Sequence, residues 1–392
     1  MQKRLADCLL LVLPETLPLS AWQRADLLAR EWEMFRRLRD WYPRLVIATP
    51  GGEEERAALA SVDKTEATLI TGVTPRTPPS AAAVRAAVGD AKSIVVRTIQ
   101  ICGCDAAVPI THALRTDGKH VTLIARSGFL WSKFAALDDG PHTPPAQDVA
   151  RREGDICRAA DSIIAVTQRM IDDLAWKHAL DPTRCSVVTN YVLTDHPSMK
   201  SEGRDANHVL TAGPLRKRRR IHLLIQAIAE IAETGATLTV LGDGPESANL
   251  HALAEKLGAP VRFIPQPTYA ERLHLMSTCS VFAYISQLEG HPKVALEAMA
   301  CGAPLIVSDA QGVGSIVHHG VTGLRISPEP EALAHAMRDL LADQEWRDVL
   351  GASASRMTLT NFGIGAVLEE EVAAHRKAVQ FAAATPTVKL TA

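Results

Sequence analysis

Net charge, long apolar runs, paired cysteines and short internal repeats are all scarce in this sequence. The formal net charge is −2, so no global field draws the molecule to nucleic acid, and any electrostatic partner must be met by a local patch. No apolar run approaches the ~18 residues of a membrane span, and no charged-then-apolar opening reads as a signal peptide. The seven cysteines are odd in number and scattered through apolar segments. They read as buried free thiols in a reducing, cytoplasmic setting. Only Cys102 and Cys104 lie close together, and one C-x-C pair does not make a closed zinc site. No metal site is expected.

What is present is length and regular alternation. At 392 residues with 47% hydrophobic and 22% charged composition, the chain exceeds what one core of roughly 250–300 residues supports. Two domains are the default. Short β-branched and leucine-rich runs alternate with helix-like stretches, the pattern of parallel βαβ sheets. Strands are expected near 8–13, 45–48, 67–70, 93–96, 121–125, 162–166 and 185–188, then near 208–212, 237–241, 261–264, 280–284, 304–307 and 323–326. A polar stretch with Pro197, Ser198, Ser201 and Gly203 separates the two series. The expected organisation is a first doubly wound α/β domain over 1–196, a linker over 197–207 and a second such domain over 208–362. A C-terminal helix over 363–381 is expected to cross back to the first domain, with a flexible tail over 382–392.

Chemistry concentrates in the second series. After the strand near 280–284 comes a segment running from Ser286 through Glu289, Gly290, His291 and Pro292 to Glu297 and Gly302. Gly290 and Pro292 hold its first part in a loop, Pro292 suits the first helical turn, and Gly302 can end the helix. Glu289 then sits on the loop and Glu297 on the second helical turn, leaning back toward the helix start. Both carboxylates can face one ligand. The N–H groups of Lys293, Val294 and Ala295 and the helix dipole point the same way, an anion site suited to a diphosphate. The competing explanation is two solvent-facing helix glutamates beside loop glycines. Against it, two further strands run into Gly213-Pro214-Leu215 and Gly242-Asp243-Gly244-Pro245, and strand ends are where doubly wound sheets bind ligands.

These residues carry a resemblance that spans nearly the whole chain. Gly213 and Leu215 before the Leu223–Ala227 helix, the Gly242–Pro245 turn, and Ser286-x-x-Glu289-Gly290 through Glu297-Ala298-Met299-Ala300-x-Gly302 resemble the family-four retaining glycosyltransferases of GT-B fold. Arg158–Asp161 leading to Val187–Val192 is similar to the segment these enzymes carry before the domain crossover. The resemblance implies two Rossmann-like domains facing across a cleft. It also implies a nucleotide diphosphate sugar as donor substrate with no separate cofactor, and a glycan or lipid-linked acceptor. Nucleic acid is not an expected partner. By the same resemblance Glu297 binds the donor ribose and Glu289 meets the transferred sugar, with Gly213, Lys217, Gly242, Gly244, Ser286, Gly290, His291, Lys293, Val294 and Ala295 lining the donor site. Arg219 stands at the family's diphosphate lysine, while Pro214 replaces its arginine. Arginine suits a bidentate phosphate grip. A solvated or nucleic-acid-binding basic loop over Arg216–Arg220 is the alternative.

The first half departs further. Pro14–Ser20 replaces the family's glycine-rich loop, and Arg126-Ser127-Gly128-Phe129 replaces its usual histidine. Some polysaccharide-assembly relatives carry a similar Arg–Gly–aromatic turn together with a Thr–x–Gln–x–x–Gly turn, matched here by Thr98, Gln100 and Gly103. Thr98, Gln100, Gly103, Arg126 and Gly128 are the acceptor-site candidates, against plain loop capping. No Asp-x-Asp pair stands where metal-dependent transferases of the other fold carry one, so metal-independent transfer is expected; retention is what the family resemblance implies. Two further readings stay open: a non-catalytic sugar-nucleotide-binding subunit, and a sugar-nucleotide epimerase of the same fold. Trp22 to Arg44 reads as one helix in which aromatics are interleaved with arginines. Such a helix fits peripheral contact with the inner face of the cell membrane, whereas Leu28, Trp32, Phe35 and Leu38 at helical spacing fit packing on the first sheet.

Overall fold

The computed structural model describes residues 4–63, 67–199 and 203–384. The chain divides into two compact units, one formed by the described residues up to Thr189 together with those from Leu368 on, the other by those of Asn190–Val367. Each unit is built on one parallel sheet.

The first sheet has seven strands: β1 (Cys8–Val12), β2 (Arg44–Ala48), β3 (Thr68–Ile70), β4 (Ser93–Thr98), β5 (His120–Ser127), β6 (Ser162–Ala165) and β7 (Cys185–Val187). Their order is β3-β2-β1-β4-β5-β6-β7. The second has six: β8 (His208–Ala212), β9 (Thr237–Leu241), β10 (Val261–Ile264), β11 (Val281–Tyr284), β12 (Leu305–Ser308) and β13 (Leu324–Ile326), ordered β10-β9-β8-β11-β12-β13. Strands such as β1, β8 and β11 are buried at every position, as helices on both faces of a parallel sheet require. Every expected strand is found, with ends shifted by at most two residues. In each sheet the order reverses beside the first strand of the unit, so β1 and β4, and likewise β8 and β11, flank a switch point.

The unit boundary falls at Thr189 rather than after 196. Val192 donates to Phe362 O and accepts from Ile364 N–H, bonds that tie the crossover segment to the second unit. Arg204 joins the same unit, donating to Met276 O, Cys279 O and Cys301 O. Residues 200–202 of the expected linker lie outside the described residues. The last helix, Ile364–Ala384, begins in the second unit and continues as part of the first. Residues 382–384, expected as tail, are helical, and 385–392 lie outside the described residues.

The span from Trp22 to Arg44 corrects one expectation. It is two helices, Leu19–Arg24 and Leu28–Leu38, separated at Asp26, which takes φ +52. Trp22, Leu28, Trp32, Phe35, Leu38 and Tyr42 are all buried. Arg36 and Arg37 pair with Glu33, Arg39 with Asp63, and Arg44 with Asp90. Of the aromatics that would anchor a membrane-surface helix, Trp22, Trp32, Phe35 and Tyr42 are used by the protein core, and Trp41 is half-buried. Among the described residues no helix is long and apolar enough to cross a membrane. All seven cysteines are free and buried. Cys104 donates to Val12 O, and burial pushes its thiol up to about 12.

Candidate functional site

Because β8 pairs directly with β11, the loops that follow them meet at the switch point of the second sheet. Gly213 N–H donates to Leu241 O at 2.9 Å and Leu215 N–H to Asp243 O at 3.0 Å, laying the loop after β8 against the turn after β9. Gly242 takes φ +127, and a Cβ there would stand 2.3 Å from Gly213 O. Conformation and space both demand glycine at that crossing. Gly244 lies against the Leu215 backbone in the same way.

The loop after β11 is held from three sides. Ser286 N–H donates to Ser308 Oγ (3.0 Å), and Ser308 Oγ donates back to Ser286 O (2.7 Å). Ser286 Oγ lies 3.1 Å from both Leu288 O and Glu289 Oε1. Glu289 N–H donates to Gln311 O at 3.0 Å. Gly312, at φ +86, lets the Glu289–Gly290 backbone come so close that a Cβ would be 1.9 Å from Glu289 O. The Glu289 side chain is 14% exposed, and Glu297, in the second turn of the helix Lys293–Ala300, is 1% exposed. Two solvent-facing helix glutamates are therefore excluded. His291 is buried and accepts from Asn190 N–H through Nδ1 (3.2 Å), while its carbonyl accepts from Asn190 Nδ2 (2.5 Å). A neutral ring so placed carries its hydrogen on Nε2.

Two details of the expected anion site change. Pro292 is the N-cap rather than the first helical residue, and Ala295 N–H donates to Pro292 O at 3.2 Å, so it belongs to the turn itself. Lys293 and Val294 begin the helix, with Lys293 Nζ 4.6 Å above the Tyr191 ring.

Arg219 is the larger correction. It is 1% exposed. Its guanidinium donates to Ala212 O through Nη1 and Nη2 (3.2 Å each) and to Ile285 O through Nε (3.3 Å), and its Cζ lies 3.7 Å from the Tyr284 ring centroid. The side chain thus ties the ends of β8 and β11 together beneath Gly213, 4.0 Å from Glu289 Oε1. A free phosphate grip would need those donors open. Within the same loop Arg216 and Lys217 are exposed. Arg220 takes the left-handed φ +43 and donates to the side-chain oxygen of Gln287, so the basic loop and the glutamate loop are stitched together.

In the first unit the expected acceptor residues pair as Thr98 with Arg126 and Gln100 with Gly128, while Gly103 meets the turn after β1. Thr98 Oγ1 accepts from Arg126 N–H (2.9 Å) and lies 3.2 Å from Arg126 O. Gln100 Oε1 accepts from Gly128 N–H (3.0 Å), and Gly103 O accepts from Glu15 N–H (3.2 Å). The turns after β1, β4 and β5 therefore interlock around the switch point of the first sheet. Phe129, just beyond, stacks on Phe134 with centroids 4.9 Å apart. Thr98 and Gln100 act as loop caps, leaving Arg126 as the charged group of this turn.

Two doubly wound α/β units, each on one parallel sheet with its own switch point, define a GT-B fold. Residues 196–357 match the model of the family described as glycosyl transferases group 1. The chain is 29% identical over 280 residues to a D-inositol 3-phosphate glycosyltransferase of Streptomyces bingchenggensis, an alignment covering 63% of this chain and 57% of that protein. It is 27% identical over 216 residues to the lipopolysaccharide core biosynthesis glycosyltransferase LpsE of Rhizobium meliloti, covering 54% of this chain and 63% of that one. These matches span about three-fifths of the relatives' lengths. Among solved structures, Anabaena Alr3699/HepE in complex with UDP and glucose superposes with a TM-score of 0.72 at 19% identity, over 93% of this chain and 98% of that one. A glycosyltransferase from Rickettsia africae superposes with a TM-score of 0.70 at 12% identity, over 96% and 99%.

Several residues that build the site were missed in the sequence. Asn190 lay inside the recognised crossover segment, yet its contact with His291 was not foreseen. Ser308 ends an expected strand. Gly312 and Tyr284 gave no signal, since each acts only through a loop brought to it by the fold.

Proposed function

We propose that the protein is a hexosyltransferase moving a sugar from a nucleoside diphosphate sugar, held by the second unit, to a glycan or lipid-linked acceptor held by the first. Transfer proceeds with retention and without a divalent metal. The observation that carries this reading is the packing of the Gly213 and Gly242 turns against each other, with Arg219 beneath Gly213 and 4.0 Å from Glu289, at the switch point of the second sheet; Glu297 is buried on the helix that follows. A buried, acceptor-only carboxylate at Glu297 suits paired ribose hydroxyls. Glu289, on the loop and less buried, suits the hydroxyls of the transferred sugar. Arg216, Lys217 and the helix start at Lys293 supply positive potential to the leaving diphosphate. In the retaining reaction the anomeric C–O bond to phosphate breaks. The acceptor oxygen then bonds the same face of the anomeric carbon, and the departing phosphate takes the hydroxyl proton. The free, buried cysteines favour a reducing compartment such as the cytoplasm.

A thermal-shift screen of the full chain against UDP, GDP and other nucleoside diphosphates tests the donor half, because binding to the native state alone raises the midpoint. UDP comes first, since Alr3699/HepE was solved with it. A shift that survives EDTA and is reduced in Glu297→Gln is expected. No shift with any nucleotide would overturn the reading. An anomeric product configuration opposite to that of the donor would overturn retention alone.

A further inference from the structure

Beneath the Arg126 turn lies a buried charged cluster that the proposed transfer chemistry leaves unused. Glu371, on the helix Ile364–Ala384, is 1% exposed and accepts from Arg97 through Nε (2.9 Å) and Nη2 (2.5 Å). Its other oxygen accepts from Arg126 Nε at 3.4 Å. His375, one turn on, stands 3.2 Å from Glu371 Oε1, and its Nδ1 meets the Tyr42 hydroxyl at 2.7 Å. Arg97 also lies 5.4 Å over the Phe35 ring.

The charges do not balance. Burial would raise the Glu371 pKa, but Arg97 and Arg126 outweigh it and hold the carboxyl well below 4.5. Burial also keeps the His375 pKa below 6.5, so the imidazole is neutral at pH 7. Two guanidiniums therefore face one carboxylate, which leaves one excess positive charge in a low-dielectric setting, an arrangement that is costly without a counter-ion. Arg97 is fully enclosed. Arg126 is 11% exposed at the C-terminal end of β5. Among the described residues its guanidinium reaches no acceptor other than Glu371, so both Nη groups remain available.

We propose that Arg126 receives an anionic group, a phosphate or a carboxylate, carried by the acceptor, and that Glu371 is the positioning residue that aims it. This rests on the reading of the first unit as the acceptor half. The paired Nη donors suit a planar or tetrahedral oxyanion, which would supply the missing negative charge. Glu371 fixes the guanidinium through Nε, so the ligand meets a preset fork and not a mobile side chain.

The test uses the full chain with saturating UDP, so that phosphate cannot gain a shift from an empty donor site. Sodium phosphate, sodium glucuronate and sodium chloride are compared at equal ionic strength. Phosphate or glucuronate should raise the unfolding midpoint by about 2–4 °C more than chloride does; whichever is stronger identifies the anion. Binding should weaken at least about tenfold in Arg126→Ala and less in Arg126→Lys. Glu371→Gln should weaken it with Arg126 still present. Because removing a buried charge can unfold the chain, phenylglyoxal modification of the wild type, mapped by mass spectrometry, supplies an independent reading. Arg126 should react in the absence of the anion and be protected in its presence. An Arg126 that is unreactive without anion, or an anion shift that persists in Arg126→Ala, overturns the proposal. UDP affinity should be the same in Arg126→Ala as in the wild type, and failure of UDP to bind the wild type would count against the donor reading instead.

Discussion

Replacing Arg219 by alanine separates two roles that its position allows. The sequence motif suggests a diphosphate contact, whereas the structure makes Arg219 a tie between β8 and β11. Its guanidinium serves Ala212 O and Ile285 O and lies 3.7 Å from the Tyr284 ring centroid. Each buried carbonyl that loses its donor costs about 1–3 kcal/mol, and the ring contact adds ~0.5–2 kcal/mol. These terms share one side chain and do not simply add, so a loss of about 3–5 kcal/mol is expected, the range for breaking a buried charged contact. Urea unfolding followed by circular dichroism measures this, with UDP affinity taken by calorimetry well below the transition. Arg219→Ala should lower the midpoint sharply, and Arg219→Lys less. If Arg219→Ala unfolds within about 1 kcal/mol of the wild type while UDP affinity collapses, the strand-tie argument is wrong and the phosphate contact is right.

Three other outcomes follow from the same geometry. Glu297→Gln should weaken UDP binding by about 1–3 kcal/mol by calorimetry, the range for a hydrogen bond to a charged group; unchanged affinity would remove Glu297 from the donor site. Gly242→Ala, with its Cβ 2.3 Å from Gly213 O at φ +127, should destabilise the second unit by at least about 1–3 kcal/mol, and a wild-type melting temperature would refute the close crossing. Burial depresses the pKa of His208 and of His375 below 6.5, so the unfolded chain takes up those protons first, and stability present above pH 6.5 is lost as pH falls below it. Each contributes at most about 1.4 kcal/mol per pH unit; His208→Asn should flatten the urea midpoint between pH 6.5 and 5, and an unchanged slope would exclude that histidine.

Strand positions were legible because strands buried on both faces must be continuous apolar runs. The runs at Cys8–Val12 and Val281–Tyr284 announce themselves without knowledge of their neighbours. The glutamate segment was legible for a related reason: a loop glycine, a proline and a helix-ending glycine set the geometry locally. Arg219 was not, because whether an arginine faces a ligand or two backbone carbonyls depends on Ala212 and Ile285 arriving at one place. The latter is 66 residues from Arg219. Glu371 lies 274 residues from Arg97, and nothing in either stretch names the other.

Amphipathic patterning is the third kind of signal, and it is symmetric in what it allows. The stripe of Leu28, Trp32, Phe35 and Leu38 fits a bilayer surface or a sheet equally well, since both remove the same apolar area from water. What decides is the partner nearest at hand. Tyr42 reaches His375 and Phe35 lies under Arg97, so the aromatic face of this segment packs around the buried charges and is already covered. The same contacts enclose Arg97, which leaves Arg126 as the end of the cluster open to a ligand. The packing that argues against a membrane helix is thus also what confines the excess positive charge to the one turn where an anion could reach it.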